Sequence, residues 1–374
     1  MRRVMVTIVL VGGLFIVGCN SSEESKDQQV EGAGSTTTEA KEMSPEDKAL
    51  WEKAKLYFQP LPETADINPD NPLNEHKVLL GKMLYYDPRL SLSGFISCNS
   101  CHNLATGGVD NLPTSIGHRW QLGPRNAPTV LNAALHTIGQ FWDGRAKDVE
   151  EQAGKPITNP IEMAMPSEEF AVERVASIPQ YVELFKKAFP NDQEPLNYEN
   201  IAKAIAAFER TLLTPSRFDD FLKGDPDALT EQEKRGLQTF IEVGCITCHT
   251  GPLLGGNMFQ KFGLFGNYWE YTGSAKIDSG RYNETKNEAD IFMFKVPSLR
   301  NITKTYPYFH DGSVWSLDSA IWIMAKVQLG KDLTEDQIAD IKAFLASLDG
   351  EVPPEALQVP ELPPSTDKTP LPQR

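Results

Sequence analysis

The pentapeptide Cys98-Asn-Ser-Cys101-His102 recurs in kind as Cys245-Ile-Thr-Cys248-His249. C-x-x-C-H is the attachment signature of c-type haem. Two thiols add to the two vinyl groups as thioethers, and the adjacent histidine takes the proximal position on the iron. One match could arise by chance or form half of a zinc site. Two matches in a chain with five cysteines point to two covalently bound haem c groups. Two such groups constrain the fold strongly. Each must be wrapped, and a wrapped haem supplies apolar core to segments that would otherwise read as loop.

The fifth cysteine belongs to an address. Arg2 and Arg3 form a charged n-region, and 4–17 is an apolar run too short and too glycine-interrupted for a comfortable membrane span. It ends in Ile16-Val17-Gly18-Cys19, which looks like a bacterial lipobox. The expectation is a signal peptide over 1–18, a lipid anchor at Cys19 and a polar tether over 19–43. An ordinary secretory signal with an incidental cysteine is the alternative. The mature chain is then held by lipid on the periplasmic side of a bacterial membrane. No cysteine remains for a disulfide. The net charge of -15 argues against nucleic acid as a partner, because phosphate binding needs a basic face.

Helical periodicity organises most of the rest. Ser44, Pro45, Glu46 and Asp47 open a helix over 44–57. A second spans 74–85, and others begin at Ser167 and Pro179. Residues 198–213 carry Ile201, Ala204, Ile205 and Phe208 on one stripe. Thr214-Pro215 marks a boundary. The second half repeats the plan: Thr230 and Glu233 form a capping box for a helix to Phe240, and helices over 316–326 and 334–348 close the chain. In both halves a glycine-bearing helix leads into C-x-x-C-H. The stretches 106–145 and 253–294 are loop-rich, and 351–374 is a Pro-rich tail, extended along the surface or disordered. The expected fold is all-α, with two cytochrome c-like domains at 44–214 and 215–350 and long irregular loops.

The sixth position on each iron decides function: a strong protein ligand makes an electron carrier, a releasable one a catalyst. Four histidines remain after the two proximal ones: His76, His118, His136 and His310. His118 lies in a glycine-rich loop, where a ligand could be released without breaking a helix. A surface histidine is the plain alternative.

Six further segments carry a resemblance. They are Leu112-Pro-Thr-Ser-Ile-Gly-His118, Gly123-Pro-Arg-Asn126-Ala-Pro-Thr, Phe141-Trp142-Asp-Gly-Arg145-Ala, Asn159-Pro-Ile-Glu162-Met, Val296-Pro-Ser-Leu-Arg300-Asn and Tyr308-Phe-His310-Asp-Gly. With two haem motifs in the right order, the chain resembles the bacterial di-haem cytochrome c peroxidases from about Asn74 to Leu348. The resemblance implies that His118 is the releasable sixth ligand of a low-potential haem held by His102. It implies that Glu162 is the peroxide-pocket carboxylate and Gln152 a supporting hydrogen-bonder. Met324 matches the methionine of the high-potential haem held by His249, with Met258 and Met293 as rivals by type. Trp142 resembles the tryptophan between the haems, and His310 a residue near a haem propionate. Asn126, Thr305 and Pro307 fall where the family binds Ca²⁺ through neutral oxygens.

The activity so implied is reduction of hydrogen peroxide to water by electrons from a small redox protein, a cytochrome c or a cupredoxin. Homodimers are usual in that family. Two other classes stay open: a di-haem electron-transfer protein without peroxidase activity, and a cofactor-maturation oxidase. Glu162 speaks against the first. Met324 speaks against the second, where a tyrosine takes that place.

Overall fold

The structure, a computed structural model, describes residues 42–373. The expected signal peptide, the Cys19 anchor and nearly all of the tether lie outside the described residues. The first half carries α1 (Pro45–Lys55), α2 (Glu75–Tyr86), α3 (Cys98–Cys101), α4 (Val149–Thr158), α5 (Glu168–Ala176), α6 (Pro179–Ala188) and α7 (Tyr198–Glu209). The second carries α8 (Arg217–Lys223), α9 (Glu231–Val243), α10 (Tyr268–Thr272), α11 (Tyr282–Thr285), α12 (Leu317–Leu329), α13 (Glu335–Ala346) and α14 (Pro354–Leu357). No helix among the described residues is long and apolar enough to cross a membrane.

The caps read from the sequence are made. Ser44 Oγ accepts from Asp47 N at 3.0 Å. Thr230 and Glu233 close a reciprocal box on α9, and Thr334 and Gln337 one on α13. The helix α4 was not among the expected elements; its Pro156 is tolerated in the last turn. The seven residues of α8 are too few to show a period.

The all-α expectation needs one correction. Strands β1 (Phe259–Lys261) and β2 (Met293–Lys295) pair antiparallel inside the second loop-rich stretch. Three-residue strands joined by a long excursion leave neither an alternation nor a tight-turn signal to find.

Two cores form. In the first, α2 lies along α7, and α4 and α6 close over that pair. In the second, α13 lies along α9, and α12 and α8 complete the cluster around Phe218, Phe240 and Phe344. The two crossings share a device. A Cβ on Gly81 would overlap the Ala204 carbonyl oxygen, and one on Gly236 would overlap that of Asp340. The glycine in each helix therefore lets the two backbones touch.

Two segments cross between the cores. Ala54 and Phe58, on and just after α1, belong to the second core. Ala356 belongs to the first, and Val352 and Leu362 pack against it. The Pro-rich tail carries the short helix α14 and is otherwise irregular, and it is hydrogen-bonded to the first half. Arg89 Nη1 donates to Pro363 O at 2.8 Å, and Gln373 N donates to Leu92 O at 2.9 Å. Beneath the Val296–Asn301 segment lies a fully buried pair. Arg300 Nη1 and Nη2 reach the two Asp219 oxygens at 2.5 and 2.8 Å, with neither side chain exposed.

Candidate active site

The first C-x-x-C-H turn opens onto a cavity of about 930 Å³. Cys98, Cys101 and His102 line it. The turn is held from behind: Tyr85 OH donates to His102 O at 2.5 Å, and His102 Nδ1 is 3.0 Å from Pro128 O. With Nδ1–H donated to that carbonyl, Nε2 is the nitrogen left free to ligate. Burial lowers the His102 pKa and so favours the neutral, ligating form. The second turn repeats this. Cys245, Cys248 and His249 line a separate apolar cavity, His249 Nδ1 is 2.8 Å from Leu254 O, and burial lowers its pKa as well. All four cysteines are free thiols. Burial pushes Cys101 up to about 11 and Cys245 to about 12. Paired thiols at a cavity edge, and an imidazole in the lining whose lowered pKa favours its neutral form, fit a haem c in each half.

Glu162 and Gln152 both line the first cavity, the latter from α4. Glu162 sits in a turn after α4, where Asn159 Nδ2 donates to its Oε1 at 2.9 Å. Burial raises its carboxyl above the ordinary value, against the opposing pull of Arg145 and of that hydrogen bond. Met163 and Arg145 line the same cavity.

His118 is buried but is not among the residues lining that cavity. Its backbone N–H is shared between Ile161 O at 2.8 Å and Glu162 O at 2.9 Å, while its Nδ1 has no hydrogen-bond partner. Gly117 permits this contact, since a Cβ there would overlap the Ile161 carbonyl. The next two residues, Arg119 and Trp120, take left-handed backbone at φ 56° and 62°. Such conformations cost non-glycine residues on the order of 1–3 kcal/mol each and gather at switch segments. The loop bearing His118 is thus stitched to the turn bearing Glu162, and strained at its tip.

In the second cavity Met324 projects from α12 into the lining, while Met258 and Met293 do not line it. None of the residues lining this cavity is an aspartate or a glutamate. The first cavity holds six: Asp143, Glu162, Glu209, Asp278, Glu284 and Asp311.

Trp142, Asn126 and His310 line both cavities and form a common wall. Trp142 Nε1 donates to Asn126 O at 2.9 Å, Asn126 N donates to His310 O at 2.7 Å, and the Trp142 and His310 rings meet edge to face with centroids 6.4 Å apart. His310 is buried with Nε2 unpartnered. Thr305 and Pro307 line the second cavity together with Asn126. Asn126 Nδ2 donates to Leu112 O at 2.9 Å, which leaves its Oδ1 as the acceptor. Arg125, in the lining of the first cavity, reaches Asp143 at 2.5 Å and Asp278 at 2.6 Å.

Sequence reasoning missed Glu209 and Lys295. Glu209 ends α7, lines the first cavity and is buried; burial, with the nearby Glu150 carboxylate, raises it to about 8. Its signal was available: it falls four residues after Ile205, so a charge sits on the apolar stripe of α7. Lys295 lines the second cavity from β2. Nothing in a three-residue strand marks it.

A family model described as di-haem cytochrome c peroxidase matches residues 75–227. A cytochrome c551 peroxidase of Nitrosomonas europaea is 52% identical over 81% of this chain and 88% of its own length. One of Pseudomonas aeruginosa is 47% identical over 87% of this chain and 92% of its own. Among solved structures, a MauG-like protein associated with microbial copper homeostasis superposes with a TM-score of 0.70. It is 30% identical, covering 80% of this chain and 98% of that one.

Proposed function

This chain belongs to the di-haem cytochrome c peroxidase family, and on that premise we propose how its two halves divide the reduction of hydrogen peroxide. The reaction takes one peroxide, two electrons and two protons to two waters, with a cytochrome as electron source. One observation carries the division of labour: carboxylates line the cavity at His102, and none lines the cavity at His249. Peroxide chemistry must move protons, and electron storage need not.

Haem c bound in the first cavity would supply the iron at which the O–O bond breaks, and in the second a one-electron store. His102 and His249 would hold the irons, with Cys98, Cys101, Cys245 and Cys248 as covalent attachments. Glu162 takes the proton from one peroxide oxygen and returns it to the leaving one; its raised pKa suits a group that must both accept and donate. Gln152 orients peroxide by hydrogen bonding. Met324 completes the second site, where a thioether favours the reduced metal. Trp142 and His310, in the common wall, lie on the path between the halves. His118 is the exchangeable ligand, and its movement is coupled to the Glu162 turn through the shared N–H. Asn126 Oδ1 with the Thr305 and Pro307 carbonyls is proposed to bind Ca²⁺ at the same wall. A lipid anchor at Cys19, a periplasmic location, a cupredoxin as an additional donor and a homodimer complete the reading. The halves correspond to cytochrome c-like domains at 44–214 and 215–350, with α1 and the tail exchanged between their cores.

The test is mixed-valence spectroscopy of the holoprotein with added peroxide, beside Glu162→Gln. Half reduction should open the His102 haem and give turnover. Two six-coordinate haems and no turnover would establish the electron-carrier alternative instead.

A further inference from the structure

Lys295 is nearly fully buried, 4% exposed, with no carboxylate in hydrogen-bond reach. Its Nζ lies 2.7 Å from His136 Nδ1 and 2.9 Å from Gly139 O. An ammonium carries three donors. Two are accounted for, and neither acceptor bears a charge. The carboxylate with the largest influence on it, Asp143, is already engaged by Arg125 and Arg145. A buried cation without a counter-ion is expensive. Burial lowers Lys295 to about 7. The fold nevertheless holds it in place, with its backbone N–H on Trp142 O at 2.7 Å.

Its position says what it is for. The inference rests on the reading that the second cavity holds a haem c. The thioethers at Cys245 and Cys248 fix two adjacent pyrroles of that group. Its two propionates are then on the edge turned away from those cysteines. Neither cysteine lines the first cavity, and the wall toward it, formed by Trp142, Asn126 and His310, is taken as the propionate side. Lys295 lines the second cavity at that wall. We propose that the third donor of Lys295 binds a propionate carboxylate of the second haem, so that Lys295 is the buried counter-ion of that haem and raises its reduction potential.

The electrostatic consequence follows directly. Reduction adds one negative charge to the haem, and a fixed cation at its edge favours the reduced form. The experiment compares Lys295→Met, Lys295→Gln and Lys295→Arg in the full holoprotein. Haem count per chain tests whether the second cavity is loaded, independently of the lysine. Redox titration of the methionine-ligated haem and the propionate bending band in its resonance Raman spectrum test the lysine. Both neutral variants should shift that haem's reduction equilibrium about tenfold toward the oxidised form, about 59 mV for a one-electron couple, and move the propionate band. Lys295→Arg should stay near the parent. Loss of the second haem in the neutral variants but not in Lys295→Arg also supports the assignment. A parental potential and band in either loaded neutral variant overturns it. Equal loss of haem in all three variants overturns it too, since the role is then packing.

Discussion

The Trp142 indole nitrogen donates to the Asn126 backbone oxygen at 2.9 Å, inside the wall that both cavities share. This bond locks an aromatic side chain that, like its neighbour Phe141, lines both cavities. It also ties the Phe141–Ala146 segment to the Gly123–Thr129 segment, so the two motifs act as one partition. Trp142→Phe keeps an aromatic and removes the donor. Both haems should load with parental spectra, while reoxidation of the second haem by peroxide slows by about tenfold, equivalent to about 1.4 kcal/mol in the barrier. Stopped-flow mixing of the fully reduced protein with peroxide reads this. An unchanged rate would make Trp142 a packing residue only.

Glu162 lines the first cavity, half-buried, with its carboxyl raised above the ordinary value. Glu162→Gln keeps its shape and its hydrogen bond with Asn159 but cannot cycle a proton. Turnover should fall on the order of 100- to 10,000-fold, as for loss of a general acid–base group. Peroxide binding and the visible spectrum should be retained. Steady-state rates with a cytochrome donor decide it; a variant as fast as the parent refutes the role.

Met324 is the methionine that lines the second cavity. Met324→Leu should lower the potential of the His249 haem and abolish its thioether charge-transfer band, leaving the His102 haem unaltered. Met258→Leu and Met293→Leu should leave both properties intact. Redox titration of the three variants separates the candidates.

Arg300 and Asp219 form a pair with no exposure on either side. Arg300→Met strands the Asp219 carboxylate, which Ser216 N and Leu61 N reach but do not neutralise. The loss should be roughly 3–5 kcal/mol, the usual result of breaking a buried pair from one side. The urea midpoint is the measurement. Asp219→Asn with Arg300→Met should recover part of the loss.

Glu209 gives a pH dependence with a definite sign. Its folded pKa is raised to about 8, above the ordinary carboxylate value. Between the two values the folded chain holds a proton that the unfolded chain releases. Stability from this group is therefore full in acid and declines as pH rises toward about 8. Glu209→Gln should flatten that decline, so its advantage over the parent grows from acid to mildly alkaline pH. Thermal midpoints across that window check it; parallel curves would show that Glu209 ionises as an ordinary surface acid.

Much of the chemistry was legible because it is local. C-x-x-C-H places two thiols and a ligand within five residues, and no long-range contact is needed to recognise it. Caps at Ser44, Thr230 and Thr334 are equally local. Glu162 and Met324 were singled out through the family resemblance, and they line the first and second cavities respectively. What escaped was non-local or short. The β1–β2 pair joins residues more than thirty apart, α4 is ten residues long with Pro156 inside it, and Lys295 gains meaning only from His136 and Trp142 across the partition.

The amino-acid order by itself determined that two C-x-x-C-H motifs follow one another, each after a glycine-bearing helix, with a glycine-rich stretch bearing His118 after the first. Those are properties of spacing. Tertiary structure decided that α1 joins the second core, that the tail lies along the first, and that Trp142, Asn126 and His310 close both cavities at once. It also decided that every carboxylate reaching either cavity lies in the first. The reason is physical: burial, shared walls and unpaired charge arise from packing between segments distant along the chain, and no window of sequence contains both sides of such a contact.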